Sequence, residues 1–374
     1  MATEVLPDDR ALRVGRRERA LAHMDAHDLD VLVLGREANV RYVTGTRGLW
    51  TAGTRPFAPA AVVVRATGAI HALMTWDEGL PDDIPREHLY GLTWNPMNWV
   101  TALQGIEGTA TARRVGTDAI SPLFAQLLPM ACPQAELVDG EPAMRAARRV
   151  KTAEEIAALR ESLKVAEASL AKAVAELRPG VRERHLSGVL LEAAAAGGVS
   201  TPSTQEVAWV TSRDHPWRKV DRDGRVGPGD LVALTSGVVA GGYIGEVGRT
   251  WPADGEGSRN SRVLYGRWER LWSLLYDACR PGAPASDLLA AYDTAGEPLP
   301  PMPVARGLGL GFDPPVVAAG LPGTAAEERL EPGMVLAVTG YVWQEGVGAV
   351  LGREAVLITS DGAELLTSSP HWRP

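Results

Sequence analysis

Val150-Lys-Thr-Ala-Glu-Glu155 marks the point where one kind of sequence gives way to another. Thr152 is placed to cap a helix, and Glu155, three residues on, completes a capping-box spacing; an Ala/Leu/Glu-rich helix follows to about Leu177. A domain boundary near residue 148 follows, which predicts an amino-terminal domain over 1–148 and a larger one over 149–374. On the amino-terminal side, Ala11 to His27 reads as an amphipathic helix and Leu29 to Leu34 as a short strand. Ala60 to Arg65 and Ala69 to Met74 flank Ala66-Thr67-Gly68 as strand, tight turn and strand, so this domain reads as α/β. On the other side, Pro179-Gly180 ends the capped helix and Arg182 to Ala196 forms the next. Strand-like runs follow at Val207 to Thr211, Leu231 to Thr235 and Val238 to Ile244, with Gly241-Gly242 as a hairpin turn. Helices are expected over Ser261 to Cys279 and Ser286 to Thr294, and strands over Met334 to Trp343 and Glu354 to Thr359. Helices and antiparallel strands that are segregated rather than alternating indicate α+β.

Composition narrows the function classes. The chain has 374 residues, 45% of them apolar and 22% charged, which is ordinary for a globular protein. Its net charge of -8, with Lys only at Lys151, Lys164, Lys172 and Lys219, argues against nucleic acid as a partner. No run reaches the length of a membrane span, and Glu4, Asp8 and Asp9 stand where a signal peptide carries cations, so a cytoplasmic protein with no membrane partner is expected. Cys132 and Cys279 have neither zinc nor redox spacing and read as apolar filler.

Six segments, in order, carry a resemblance: Lys151-Thr-Ala-Glu-Glu-Ile156, Gly229-Asp-Leu-Val232, Gly242-Tyr243 with Arg249-Thr250, Gly307-Leu-Gly-Leu-Gly311 with Pro314-Pro315, Leu330-Glu-Pro-Gly-Met-Val335 and Leu357-Ile-Thr-Ser-Asp-Gly362. With the Asn39 to Gly45 stretch, they resemble the creatinase, prolidase and aminopeptidase P family. The resemblance implies an α+β pita-bread carboxy-terminal domain, a smaller α/β creatinase-type amino-terminal domain and a homodimer.

Metallopeptidases of that family hold two divalent ions with five side chains, and each position can be checked. The first Asp falls on Thr235, the second on Glu246, the His on Arg306, the next Glu on Thr339, and the last Glu on Arg353 or, with a shift of one residue, on Glu354. Hard divalent ions need several carboxylate oxygens. Here Glu246 and Glu354 offer two carboxylates while Arg306, and with it Arg353 if that residue faces inward, opposes them with permanent positive charge. The expectation is therefore no metal and no cofactor, with Arg306 as an anion clamp lined by the Thr235 and Thr339 hydroxyls.

One family residue persists. His215, in Ser212-Arg-Asp-His-Pro216, stands where the resemblance places an active-site histidine that serves metal-free members such as creatinase as general acid and base. Glu246 and Glu354 are candidates to support it; the competing reading is a structural ion pair with Arg306 or Arg353. The creatinase glutamate two residues past the second metal position is Gly248 here, which argues against a literal creatine hydrolase. Thr235 as a nucleophile is a weaker reading than a buried hydrogen-bonding hydroxyl. Arg55 aligns loosely with an arginine that creatinase-like members send across the dimer to the substrate carboxylate. Trp217, Trp251 and Trp343 lie within a few residues of site positions and suggest an aromatic wall. The remaining histidines, His371 among them, read as surface or packing residues. Gly307 to Gly311 lacks the strand-to-helix setting of a nucleotide loop.

Together these readings predict a metal-independent acid/base enzyme on a small-molecule substrate bearing a carboxylate or similar anion. Its catalytic residues would be His215, Glu246 and Glu354, with Arg306, Thr235, Thr339, Arg55, Trp217 and Trp343 binding substrate. Creatinase-type C–N hydrolysis is the conservative chemistry; isomerisation, cyclisation or elimination in a biosynthetic pathway, and an inactive pita-bread protein that binds a peptide or protein, are the alternatives.

Overall fold

The computed structural model describes residues 9–46, 60–73, 80–91, 95–118, 121–199, 208–216, 224–320 and 328–373. The chain divides into two compact units, Met1–Arg148 and Arg149–Pro374.

The first unit runs α1 (Asp9–Ala26), β1 (Val31–Leu34), α2 (Glu37–Thr44), β2 (Ala61–Val64), β3 (Ile70–Leu73), β4 (Leu89–Tyr90), α3 (Pro96–Gln104), β5 (Arg114–Thr117), α4 (Pro122–Ala131), β6 (Glu136–Asp139) and α5 (Glu141–Arg149). Its sheet has the order β4-β3-β2-β1-β5-β6, antiparallel through β1, β2 and β3 and parallel from β1 to β6. Val31, Val33, Val62, Val64 and Val115 pack against Trp99, Leu103, Phe124 and Leu128. Asn39 is wholly buried, and its Nδ2 donates to Asp118 at 2.7 Å and to Glu141 at 2.8 Å, while Arg148 donates to its Oδ1. A buried amide must be satisfied in this way or cost free energy, so the Asn39 to Gly45 stretch works here as a structural knot.

The second unit runs α6 (Ala153–Ala175), α7 (Glu183–Ala196), β7 (Ala208–Val210), β8 (Leu231–Ala240), β9 (Tyr243–Pro252), α8 (Arg259–Ala278), α9 (Asp287–Ala295), β10 (Ala305–Leu308), β11 (Phe312–Val317), β12 (Val335–Gln344), β13 (Gly348–Ile358) and β14 (Ala363–Leu365). The capping box forms: Glu155 N–H donates to Thr152 Oγ1 at 3.2 Å and Thr152 N–H to Glu155 Oε2 at 3.0 Å. The sheet order is β11-β10-β12-β13-β9-β8-β7, with β14 on β13. The two long hairpins, β8–β9 and β12–β13, meet at Arg353 and Gly248. Next to that pair, Thr250 Oγ1 donates to Leu351 O at 3.0 Å and accepts from Leu351 N–H at 2.9 Å, so a side chain takes over the seam where the ladder lapses.

One face of this sheet is covered by helices, because residues two apart along a strand share a face. Val232, Leu234 and Val247 pack in the cluster that includes residues of α6 and α7, and Leu336, Val338, Val350 and Val356 pack with residues of α8 and α9. Trp268 lies against the paired glycines Gly340 and Gly352, where a Cβ would come within 2.8 and 2.1 Å of its ring. The opposite, inner face carries the site.

Two sequence readings of strands change. Val238 to Ile244 is not one strand: β8 continues through Thr235-Ser-Gly237 to Ala240, and β9 begins at Tyr243 after the Gly241-Gly242 turn. The segment Gly307 to Gly311 is a loop only in part, since Gly307 and Leu308 belong to β10, and Lys151 Nζ donates at 2.9 Å to Asp313 in a fully buried pair that fixes the far side of the turn.

Candidate functional site

Strand register assembles the site. Thr235 stands opposite Gly248, Gly248 opposite Arg353, and Arg353 opposite Thr339, one row across four strands. Glu246 lies two residues from Gly248 on the same face, and Arg306 pairs with Ala337, two residues from Thr339. The row therefore brings Thr235, Glu246, Arg306, Thr339 and Arg353 to one patch of the inner face.

At its centre is an ion cluster. Both Glu246 oxygens lie 2.5 Å from Arg306 Nη2, and Arg353 Nη1 is 3.6 Å from Glu246 Oε2. Arg353 Nε donates to Thr339 Oγ1 at 3.0 Å, which fixes the plane of that guanidinium. The Glu246 side chain is 1% exposed, and those of Arg306 and Arg353 are 17% and 13% exposed. Burial pulls the Arg353 guanidinium below its ordinary pKa, Glu246 acts to raise it, and Arg306 adds a like-charge push downward. Gly248 is tightly packed: a Cβ there would lie 2.7 Å from a Leu351 methyl and 3.1 Å from the Arg353 Cβ. A glutamate there would require the Leu351 and Arg353 side chains to shift.

Register also decides between Arg353 and Glu354. Arg353 faces the cluster; Glu354 points through the sheet to the helix side. There Arg249 Nη1 is 2.8 Å from Glu354 Oε1 and Arg249 Nη2 donates to Oε2 at 3.0 Å, with Thr367 Oγ1 and, at 2.5 Å, His371 Nε2 completing the shell. Assignment of Glu354 to the catalytic set is thus corrected: successive residues of a strand face opposite ways, and Glu354 anchors the carboxy-terminal segment. His371, read as surface or packing, is a partner of that carboxylate, and its ring sits 4.5 Å from the Trp268 ring. Chain spacing offered no signal for this contact.

The other candidates are placed as follows. His215 lies on the loop after β7, its N–H donating to Ser212 Oγ at 3.1 Å. Trp343 Nε1 donates to Ser212 O at 2.9 Å, so this tryptophan ties the histidine loop to β12 and packs with Trp209, Tyr341 and Leu351. Trp251 packs against the helix-side clusters and not on the inner face, which removes it from the expected aromatic wall. Arg55 and Trp217 fall outside the described residues.

The residues at the five ligand positions do not fit a pair of divalent ions. They present one carboxylate, two hydroxyls and two guanidinium groups, and the carboxylate is already clasped by the guanidiniums. Among the described residues, no group of three or more His, Cys, Asp and Glu is placed to hold a metal.

Family models match both halves of the chain: metallopeptidase family M24 over residues 157–360, and the creatinase/prolidase N-terminal domain over residues 16–150. The chain belongs to metallopeptidase family M24. It is a two-domain, pita-bread M24 protein of the creatinase, prolidase and aminopeptidase P kind, a family of hydrolytic, peptidase-like enzymes. The Xaa-Pro aminopeptidase of Escherichia coli (strain K12) is 28% identical over 35% of this chain and 30% of its own length. The uncharacterized hydrolase/peptidase y4tL of Sinorhizobium fredii is 26% identical over 98% of this chain and 97% of its own. In fold, the M24 chain is similar to the prolidase from Pyrococcus horikoshii OT3, with a TM-score of 0.76 at 18% identity over 95% of this chain and 99% of that one. It is also similar to dipeptidase PepE from Mycobacterium ulcerans, with a TM-score of 0.72 at 23% identity over 97% of each.

These relatives overturn the sequence-based functional expectation. The relatives carry peptidase names, among them an Xaa-Pro aminopeptidase and an Xaa-Pro dipeptidase, and none of these names supports a metal-independent enzyme acting on a small organic anion, whether by hydrolysis, isomerisation, cyclisation or elimination. The expectation rests on creatinase because His215 persists, whereas the relatives named above are peptidases. No helix among the described residues is long and apolar enough to cross a membrane.

Proposed function

We propose that this M24 protein is directed at short peptides of the Xaa-Pro class, and that its inner-face cluster receives them without assembling a two-ion centre. Relatives named Xaa-Pro aminopeptidase and Xaa-Pro dipeptidase support the ligand class. The observation that carries the second half is the Glu246 carboxylate held between Arg306 and Arg353. To enter there, a divalent cation would have to displace two permanent positive charges from the single carboxylate, and neither Thr235 nor Thr339 supplies a compensating negative charge.

The test uses the full chain with L-alanyl-L-proline. Equilibrium dialysis should show the dipeptide bound, and amino-acid analysis should show no proline release that depends on added manganese, cobalt or zinc. Metal-dependent release would overturn the reading, and so would failure of the dipeptide to bind.

A further inference from the structure

The two guanidiniums of the cluster share a single carboxylate between them. Glu246 is one carboxylate set against two guanidiniums, and Glu246 and Arg306 are the charges that act on Arg353. The distances are unequal: Arg306 clasps both Glu246 oxygens at 2.5 Å, while Arg353 stands off at 3.6 Å. Arg353 is oriented by Thr339, whose Oγ1 accepts from its Nε–H, while its terminal nitrogens face toward Glu246 without a close hydrogen bond to it. Two like charges in a patch with little solvent repel, and a second anion beside Arg353 would relieve that repulsion. A guanidinium fork matches a carboxylate in geometry as well as charge.

We propose that Arg353, with Arg306 behind it, is a carboxylate-binding site that docks the C-terminal carboxylate of a bound peptide. This rests on the peptide reading above for the source of the carboxylate. The site inverts the preference of the positions it occupies, taking an anion where five-ligand relatives of the family take cations. Glu246 is its internal counter-ion and competes with an incoming carboxylate for both guanidiniums.

Titration calorimetry of the full chain with L-alanyl-L-proline and with its C-terminal amide tests the proposal. The acid should bind about tenfold or more tightly than the amide, the value of a charge-assisted hydrogen-bond pair. Arg353→Met should erase the difference. Glu246→Gln should bind the acid more tightly than wild type, a gain that misfolding cannot produce. Equal binding of acid and amide to wild type would overturn the site, as would loss of acid affinity in Glu246→Gln. Acetate separates the two claims when neither dipeptide binds. If acetate then raises the melting temperature of wild type and not of Arg353→Met, the carboxylate site stands and the peptide reading falls; if it raises neither, both fall.

Discussion

Both oxygens of the Glu246 carboxylate are 2.5 Å from Nη2 of Arg306, although the two residues are sixty positions apart and lie on β9 and β10. The sequence resemblance aligns these two positions with an acidic ligand and a histidine ligand of the family's metallopeptidases. Substitution of one partner by arginine turns a pair of metal donors into an ion pair that satisfies itself. The change is complete only because Arg353, at a third ligand position, also faces Glu246, so that no carboxylate of the cluster remains uncommitted.

Removing the carboxylate should therefore be costly. Glu246→Ala leaves two partly buried guanidiniums without their shared carboxylate and is expected to lower stability by about 2–4 kcal/mol. Urea denaturation measures this. A loss below about 1 kcal/mol would mean that the pair is solvated and weak.

Gly352 makes a packing prediction on the other face of the sheet. A Cβ there would sit 2.1 Å from the Trp268 ring, so Gly352→Ala should destabilise by about 1–3 kcal/mol. Gly188, inside α7, has nothing within 4 Å of its Cβ, and Gly188→Ala should stabilise by about 0.5–1 kcal/mol. The two variants, compared in the same melt, should move in opposite directions.

His71 should make the first unit sensitive to acid. It is buried on β3, stacked on His88 at 4.0 Å with the Tyr90 hydroxyl 3.3 Å from its Nδ1, and burial, with a smaller contribution from His88, lowers its pKa from 6.5 to about 4. The folded state thus binds this proton less readily than the unfolded state. Its contribution is fully present above pH 6.5 and is lost as pH falls toward 4, by up to about 3 kcal/mol. Hydrogen exchange of residues 60–73 across that window should show falling protection in wild type and a flatter profile in His71→Leu.

Features fixed by local chemistry were legible in the sequence, and features fixed by register were not. The Thr152–Glu155 capping box and the Gly241-Gly242 turn each need only a few neighbouring residues, and both lie where the sequence places them. The break expected within β8 came from Thr235-Ser-Gly237, whose polar and small residues interrupt an apolar run; continuous pairing with β9 from Leu231 to Ala240 overrides that weak local preference. Chain spacing left Arg353 and Glu354 equivalent, and only the pairing of Arg353 with Thr339 and Gly248 puts the arginine inside and the glutamate outside. Composition at the ligand positions was readable residue by residue, whereas the partners of Glu354, especially His371, come together only through the fold.

The central claim, that these ligand positions hold an ion pair rather than a two-ion centre, is tested most directly by metal stoichiometry. Purified full-length protein is dialysed against chelator, offered manganese, cobalt or zinc, desalted, and measured by elemental mass spectrometry. The account predicts less than roughly 0.1 ion per chain for each metal. One or two ions per chain, lost in Glu246→Gln, would show that the carboxylate leaves its arginines for metal and would contradict it.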